Sequence, residues 1–246
     1  MAEARRRAND RRSEILEHAG RLFRDQGYHA TTMDDVADSV KLNKGTLYYY
    51  YESKANLLFE ILLNTNERRL ASMRSRAADL EPDARVKSFV EDTIEYLASH
   101  PVEATVSFQE APFFHLWLSR DQVKVLRARY AEFEHYAVDA VSAGQKAGIF
   151  MSDLDANVIA QTLTAIVSWF VRWFRAGGKL SAHQVAEQSS LFVLRGLLTP
   201  EFAQRAGSLV GEPPSAVTDA KRRNSGSLSG SAVSPRARRK KTETTG

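Results

Sequence analysis

The chain reads as an all-α protein. From Arg11 to about Phe202 apolar residues recur at helical spacing, and the interruptions coincide with proline or glycine. No run alternates β-branched with polar residues as a half-buried strand would. At 246 residues with 43% hydrophobic composition, there is enough apolar material for a substantial core.

A first helix presents Ile15, Leu16, Ala19, Leu22 and Phe23, and a basic arm containing Arg5, Arg6, Arg7, Arg11 and Arg12 precedes it. A short second helix fits Thr31 to Ser39: Thr31 can cap it, Asp34 and Asp35 complement the helix dipole, and Met33, Val36, Ala37 and Val40 supply its buried face. Asn43 is a good cap for a third helix, Lys44 to Tyr51. So short a linker forces a steep crossing, the geometry that presents a second helix to a DNA groove. Leu47 and Tyr51 share the inward face of that helix. Lys44, Gly45 and Thr46 then lie at the end that meets base edges, while tyrosine hydroxyls suit phosphate oxygens. Lys54 follows the candidate cap Ser53 and places its charge beside a phosphate-attracting helix N-terminus.

Beyond this motif a helix from Lys54 to Asn66 leads into an amphipathic segment reaching Ala78, and Glu81-Pro82-Asp83 breaks it. A helix from Ala84 to Ala98 buries Val86, Phe89, Val90, Ile94 and Leu97, and His100-Pro101 ends it. Next come a helix near Glu103 to Glu110, the aromatic connection from Ala111 to Ser119, and a long helix from Asp121 to about Lys146. Two final helices span Ala156 to Ala176 and, after a Ser181/Gln184 capping box, about 182 to Leu198. Ile159, Leu163, Ile166, Val167, Phe170 and Phe174 stripe the first, and Val185, Leu191, Leu194 and Leu198 the second. An antiparallel pair this apolar either completes the monomer core or meets a symmetric copy in a four-helix interface.

Composition excludes several function classes. Cysteine is absent, so there is neither a disulfide nor a thiolate nucleophile, which suits a reducing cytoplasm. The apolar run from about Thr162 to Phe174 is interrupted by Arg172 and too short for a bilayer, and the charged start is not a signal peptide, so no membrane association is expected. No nucleotide-binding, hydrolase or zinc-protease motif occurs, and the six histidines are scattered, so no enzyme, metal or cofactor is expected. Although the chain carries +4, residues from 211 onward hold eight Lys and Arg against three Asp and Glu, leaving residues 1–210 at a formal −1. DNA affinity must therefore come from local features rather than global basicity. Residues 205–246 collapse into Ser, Gly, Pro and basic residues, cannot bury a core and should be disordered; Arg236 to Lys241 would either attract phosphate or remain solvated.

Two segments invite a ligand. Phe108, Glu110, Phe113, Phe114 and Trp117 concentrate around a helix break and could line an apolar cavity. Trp169, Arg172, Trp173 and Arg175 lie on or beside an apolar helix, so the arginines either pair with carboxylates such as Glu187 or await an anion.

The stretch from Ile15 to about Leu58, with GYHATTMDDVA and NKGTLYYYYESK, resembles the helix-turn-helix of the tetracycline-repressor (TetR) family. That resemblance implies an N-terminal three-helix DNA-binding domain at 1–60 and a C-terminal helical effector-binding and dimerisation domain at 61–204. It implies a homodimer on a double-stranded DNA operator, with phosphate contacts from Thr32, Tyr48, Tyr50 and Lys54 and base contacts from Lys44, Gly45, Thr46 and Tyr49. Lys41 departs from the family's usual glycine, so the turn either carries backbone strain there or takes a less left-handed conformation. The later segments FQEA, AGIFMSDLDANVIA and VRWFRAGGKLSAHQVAEQ are similar to the actinobacterial TetR repressors of sterol and fatty-acid catabolism that answer to coenzyme A thioesters. This implies that Arg172, Trp173 and Arg175 hold phosphate and adenine while the aromatic segment receives the acyl group. The alternative within the family is an efflux or stress regulator with a hydrophobic drug-like effector.

Overall fold

The computed structural model describes residues 1–77 and 80–205, and these form helices with no strand. In order they are α1 (Ala2–Gln26), α2 (Met33–Ser39), α3 (Lys44–Tyr50), α4 (Lys54–Ala77), α5 (Pro82–Ser99), α6 (Pro101–Glu110), a 3-10 turn (Phe114–Leu116), α7 (Arg120–Lys146), α8 (Ala156–Trp173), α9 (Ala182–Leu197) and α10 (Pro200–Arg205). Among the described residues no helix is long and apolar enough to cross a membrane. The basic tail with Arg236 to Lys241 lies outside the described residues, as does Ala78.

Local chemistry sets most boundaries. Thr32, not Thr31, caps α2 in a reciprocal box with Asp35, while Thr31 is buried and donates to the Gly27 carbonyl at 2.9 Å. The side chain of Asn43 accepts from the backbone N–H of Thr46 at 2.8 Å and opens α3. Pro82 and Pro101 each occupy a first-turn position, where their missing N–H is harmless, so α5 and α6 begin earlier than apolar periodicity suggested. Capping boxes at Ser119/Gln122 and Ser181/Gln184 open α7 and α9. α8 stops at Trp173 rather than Ala176, because Phe174 turns extended and stacks back on Phe170 with ring centroids 4.5 Å apart.

Two apolar clusters hold the molecule. One gathers Ile15, Phe23, Val36, Leu47, Tyr51 and Leu58 from α1 to α4, but also Val106, Phe114, Leu118 and Leu126 from later elements. The other is built from α4, α5, α7, α8 and α9 around Phe89, Phe133, Phe150, Leu163, Phe170 and Leu194. α4 runs unbroken through the expected division at residue 60 and contributes to both clusters, so it mechanically joins the two halves. α9 packs along α5 and α8 along α7. The link between α7 and α8 is tied to the end of α9 by an isolated antiparallel bridge, Phe150 to Leu198.

The stripes expected to face a second copy, Ile159, Leu163, Val167 and Phe170 on α8 with Val185 and Leu194 on α9, are buried in the chain's own core. The other flank of the pair is open. Val158 is 64% and Phe192 75% exposed, and with Leu154, Thr162, Ile166 and Gly196 they border an apolar groove of about 600 Å³.

Candidate nucleic-acid interface and ligand cavity

The third helix is held by its inward residues. Leu47 is fully buried and Tyr51 nearly so, and Arg12 of α1 lies over the Tyr51 ring at 4.4 Å while donating to the Tyr50 carbonyl and to Glu60. Burial raises the Tyr51 phenol well above its usual range, so it remains neutral. With that face fixed, Lys44, Gly45, Tyr48 and Tyr49 project outward; Tyr49 is 85% and Tyr48 41% exposed. Thr46 is half-buried and shares its hydroxyl with Asn43. Lys44 pairs with Asp34 at 2.8 Å, but both are exposed, so a phosphate or base edge can displace the carboxylate at little cost. The α2–α3 turn passes through Lys41 at φ 55°, the left-handed strain expected of a lysine where glycine would be at ease.

Several expected contacts take other roles. Lys54 is turned inward: its ammonium donates to the carbonyls of Tyr28 (2.7 Å), His29 (3.2 Å) and Thr31 (2.7 Å) and lies 4.4 Å from the Tyr28 ring centre. All three donors of the ammonium are thereby engaged, so it locks the α1–α2 loop to α4 instead of reaching for phosphate. Partial burial lowers its pKa from the ordinary lysine value. Tyr50 packs against the first cluster, half-buried, with its ring edge-on to Tyr49 at 5.4 Å. Thr32 stays exposed, though its hydroxyl already serves Asp35. The basic arm is no extended arm: it forms the first turns of α1, and Arg11 and Arg12 are committed to Val40, Glu14, Tyr50 and Glu60.

The aromatic segment also divides. Phe108 alone of the five lines a small, half-open cavity, between α4, α5, α6, α7 and α8. Phe114 is buried in the first cluster and stacks on Tyr130 at 5.8 Å. Trp117 meets His29 edge-on at 4.1 Å and Tyr28 at 6.1 Å, and so seals the joint between the helix-turn-helix and the rest of the chain. Glu110 is at that joint with His29, Trp117 and Lys54 as its charged and polar neighbours, and burial raises its pKa. Phe113 is 53% exposed, on the outer surface. Periodicity could not separate these roles, because at a helix break each ring's direction depends on the loop.

Trp169 and Trp173 are about half exposed, and Trp169 meets Phe108 edge-on at 5.8 Å. Arg172 is exposed with no carboxylate partner among the described residues, so the expected pairing with Glu187 does not form. Arg175 donates to the carbonyls of Phe174 (2.8 Å) and Arg172 (3.4 Å), closing the end of α8. Val158, Thr162, Ile166, Trp169 and Trp173 fall at helical spacing, so one outer face of α8 connects the groove with the tryptophans.

A small helix-turn-helix mounted on a larger helical body with a small pocket defines a class of DNA-binding protein. Residues 15–61 match the family of bacterial regulatory proteins named for TetR, and residues 79–197 match a tetracyclin repressor-like C-terminal domain. The HTH-type transcriptional repressor KstR2 of Rhodococcus jostii (strain RHA1) is 31% identical over 191 residues, covering 77% of this chain and 92% of that protein. The structure of the ketosteroid transcriptional regulator KstR2 of Mycobacterium tuberculosis aligns with a TM-score of 0.71 at 28% identity, over 77% of this chain and 95% of that one. AibR, solved in complex with isovaleryl coenzyme A and operator DNA, aligns with a TM-score of 0.66 at 26% identity, over 74% and 97%. The chain belongs to the TetR family of bacterial transcription regulators. It is a DNA-binding transcriptional repressor similar to KstR2, not an enzyme.

Proposed function

We propose that the protein acts as a homodimer on a palindromic operator and leaves it when a coenzyme A thioester of a lipid or steroid catabolite binds. The observation that carries the DNA half is the outward end of α3: Lys44, Gly45, Tyr48 and Tyr49 are exposed while Leu47 and Tyr51 are locked beneath. In this reading Lys44, Gly45, Thr46 and Tyr49 meet base edges, and Tyr48, with Thr32 and Tyr50 at the margins, contacts phosphate.

The effector half draws on AibR, whose structure holds isovaleryl coenzyme A, and on the exposed Arg172 and Trp173, which share α8 with Trp169, the ring that meets the cavity-lining Phe108 edge-on. An arginine suits phosphate and a tryptophan face suits adenine. α6 provides the coupling: Ala104, Ser107 and Phe108 line the cavity, while Val106 and Glu110 face the helix-turn-helix side. A ligand that displaces α6 would shift α1 and α4, which it contacts, and change the spacing of the two α3 helices in a dimer.

Gly45→Ala tests the DNA reading cleanly. A methyl group there meets only Asn43 Oδ1 at 3.6 Å, an ordinary contact, so folding is unaffected. Operator affinity measured by fluorescence anisotropy should nevertheless fall roughly tenfold, because the added carbon blocks close approach to the bases. Unchanged affinity would remove α3 from the groove. In the same assay acyl-CoA thioesters should release the DNA and Arg172→Ala should blunt the release.

A further inference from the structure

The cavity behind Phe108 has one charged wall. Arg69, from the middle of α4, is only 8% exposed, and its guanidinium lies 4.0 Å from the centre of the Phe133 ring. Neither Nε nor Nη2 has a hydrogen-bond partner among the described residues. Neighbouring arginines are paired, Arg74 with Glu132 and Arg129 with Glu132 and Glu67, whereas Arg69 has no carboxylate partner among the described residues. Arg69 and Asp92 both line a second, smaller crevice, and Asp92 accepts from Ser88. Burial lowers the Arg69 guanidinium to about 10, so it remains cationic at neutral pH.

The cavity itself is small, about 240 Å³, below the roughly 300–1,000 Å³ that suits a drug-sized ligand. Arg69, Ser107 and Tyr130 form its polar side, and the buried Ser107 hydroxyl also has no partner. Leu97, Ala104 and Val171 make the opposite wall apolar. A cation buried without a counter-charge is costly, and Phe133 offsets only part of that cost. An apolar ligand would leave the penalty in place, and a ketone would use one donor without neutralising the charge. A carboxylate does both, once the guanidinium turns its buried Nε and Nη2 toward the cavity, accepting from the two together in the fork geometry that guanidinium favours.

We propose that Arg69 anchors a carboxylate at the far end of the effector's acyl part, so that the effector is a short ω-carboxyacyl thioester. This rests on the thioester reading above, and deepens it by specifying the acyl group.

Calorimetry on the full chain with a matched pair, adipoyl-CoA and hexanoyl-CoA, decides the matter. Adipoyl-CoA should bind about tenfold tighter or better, as a charge-assisted bond would give. Arg69→Met should abolish the preference without lowering the Tm, since removing an unpaired buried cation relieves a penalty. Arg69→Lys, which keeps the charge but loses the fork, should retain part of the preference and serves if the methionine variant fails to fold. Equal binding of the pair to the parent protein overturns the carboxylate anchor and leaves the thioester reading intact. Binding of neither thioester sinks that reading; free adipate then serves as probe, and its binding with loss in Arg69→Met keeps the anchor, while its failure ends it.

Discussion

At the residue scale Lys54 shows how a charged side chain's role is set by what lies within its reach. Its position in sequence, one residue after a cap, suits phosphate, yet the turn carbonyls of Tyr28, His29 and Thr31 are at hand and take all three of its donors. Charge-assisted hydrogen bonds of this kind are worth about 1.5–3 kcal/mol each at most, and the carbonyls left behind would lose their partner. Lys54→Met should therefore cost about 2 kcal/mol, lowering the Tm by about 4–8 °C for a domain of this size. Calorimetric melting checks the loss. The salt dependence of operator binding separates the two roles: loss of a phosphate contact would reduce the logarithmic slope by about 1, whereas a displaced lock leaves it unchanged. Nothing in the sequence distinguished these cases, because the competing acceptors are backbone atoms more than twenty residues away.

At the element scale the helices follow from local chemistry, while their close contacts depend on shape. Asn43, Ser119, Asp155 and Ser181 all bond the N–H groups of the helices they open. Gly144 in α7 is a different case. A Cβ there would fall on the ring of Phe150, which is 1% exposed and cannot move aside. Alanine ordinarily gains about 1 kcal/mol over glycine in a helix interior, but overpacking a closed core costs about 1–3 kcal/mol. Here the clash wins, since backbone and ring meet directly: Gly144→Ala should destabilise by about 1–2 kcal/mol, read by denaturant midpoint. A Gly144→Ala protein more stable than the parent would mean the ring is free to shift.

At the scale of the whole molecule the outer face of α8 and α9 stands out. Phe192 and Val158 are large, apolar and mostly exposed, and they flank an apolar groove. Apolar exposure on this scale marks an association surface in most soluble proteins. Phe192→Glu should convert the proposed homodimer to monomer, halving the mass seen by light scattering, and should cost operator affinity by two orders of magnitude or more, because each half-site then binds alone. A Phe192→Glu protein that keeps the parent's mass and affinity would place the dimer contact elsewhere.

Sequence by itself determined the all-helical class, the starts of α2 to α9 within a few residues, and the inward seats of Leu47 and Tyr51, because periodicity and capping act over three or four neighbours. It also made Lys41 the point of strain, a consequence of one missing glycine. Tertiary structure decided which aromatics face a cavity and which seal a joint, turned the expected dimer stripes into monomer core, and left Arg69 without an ion pair among the described residues. Those outcomes depend on where distant helices cross, and a guanidinium counts as buried or paired only once its surroundings from other elements are in place.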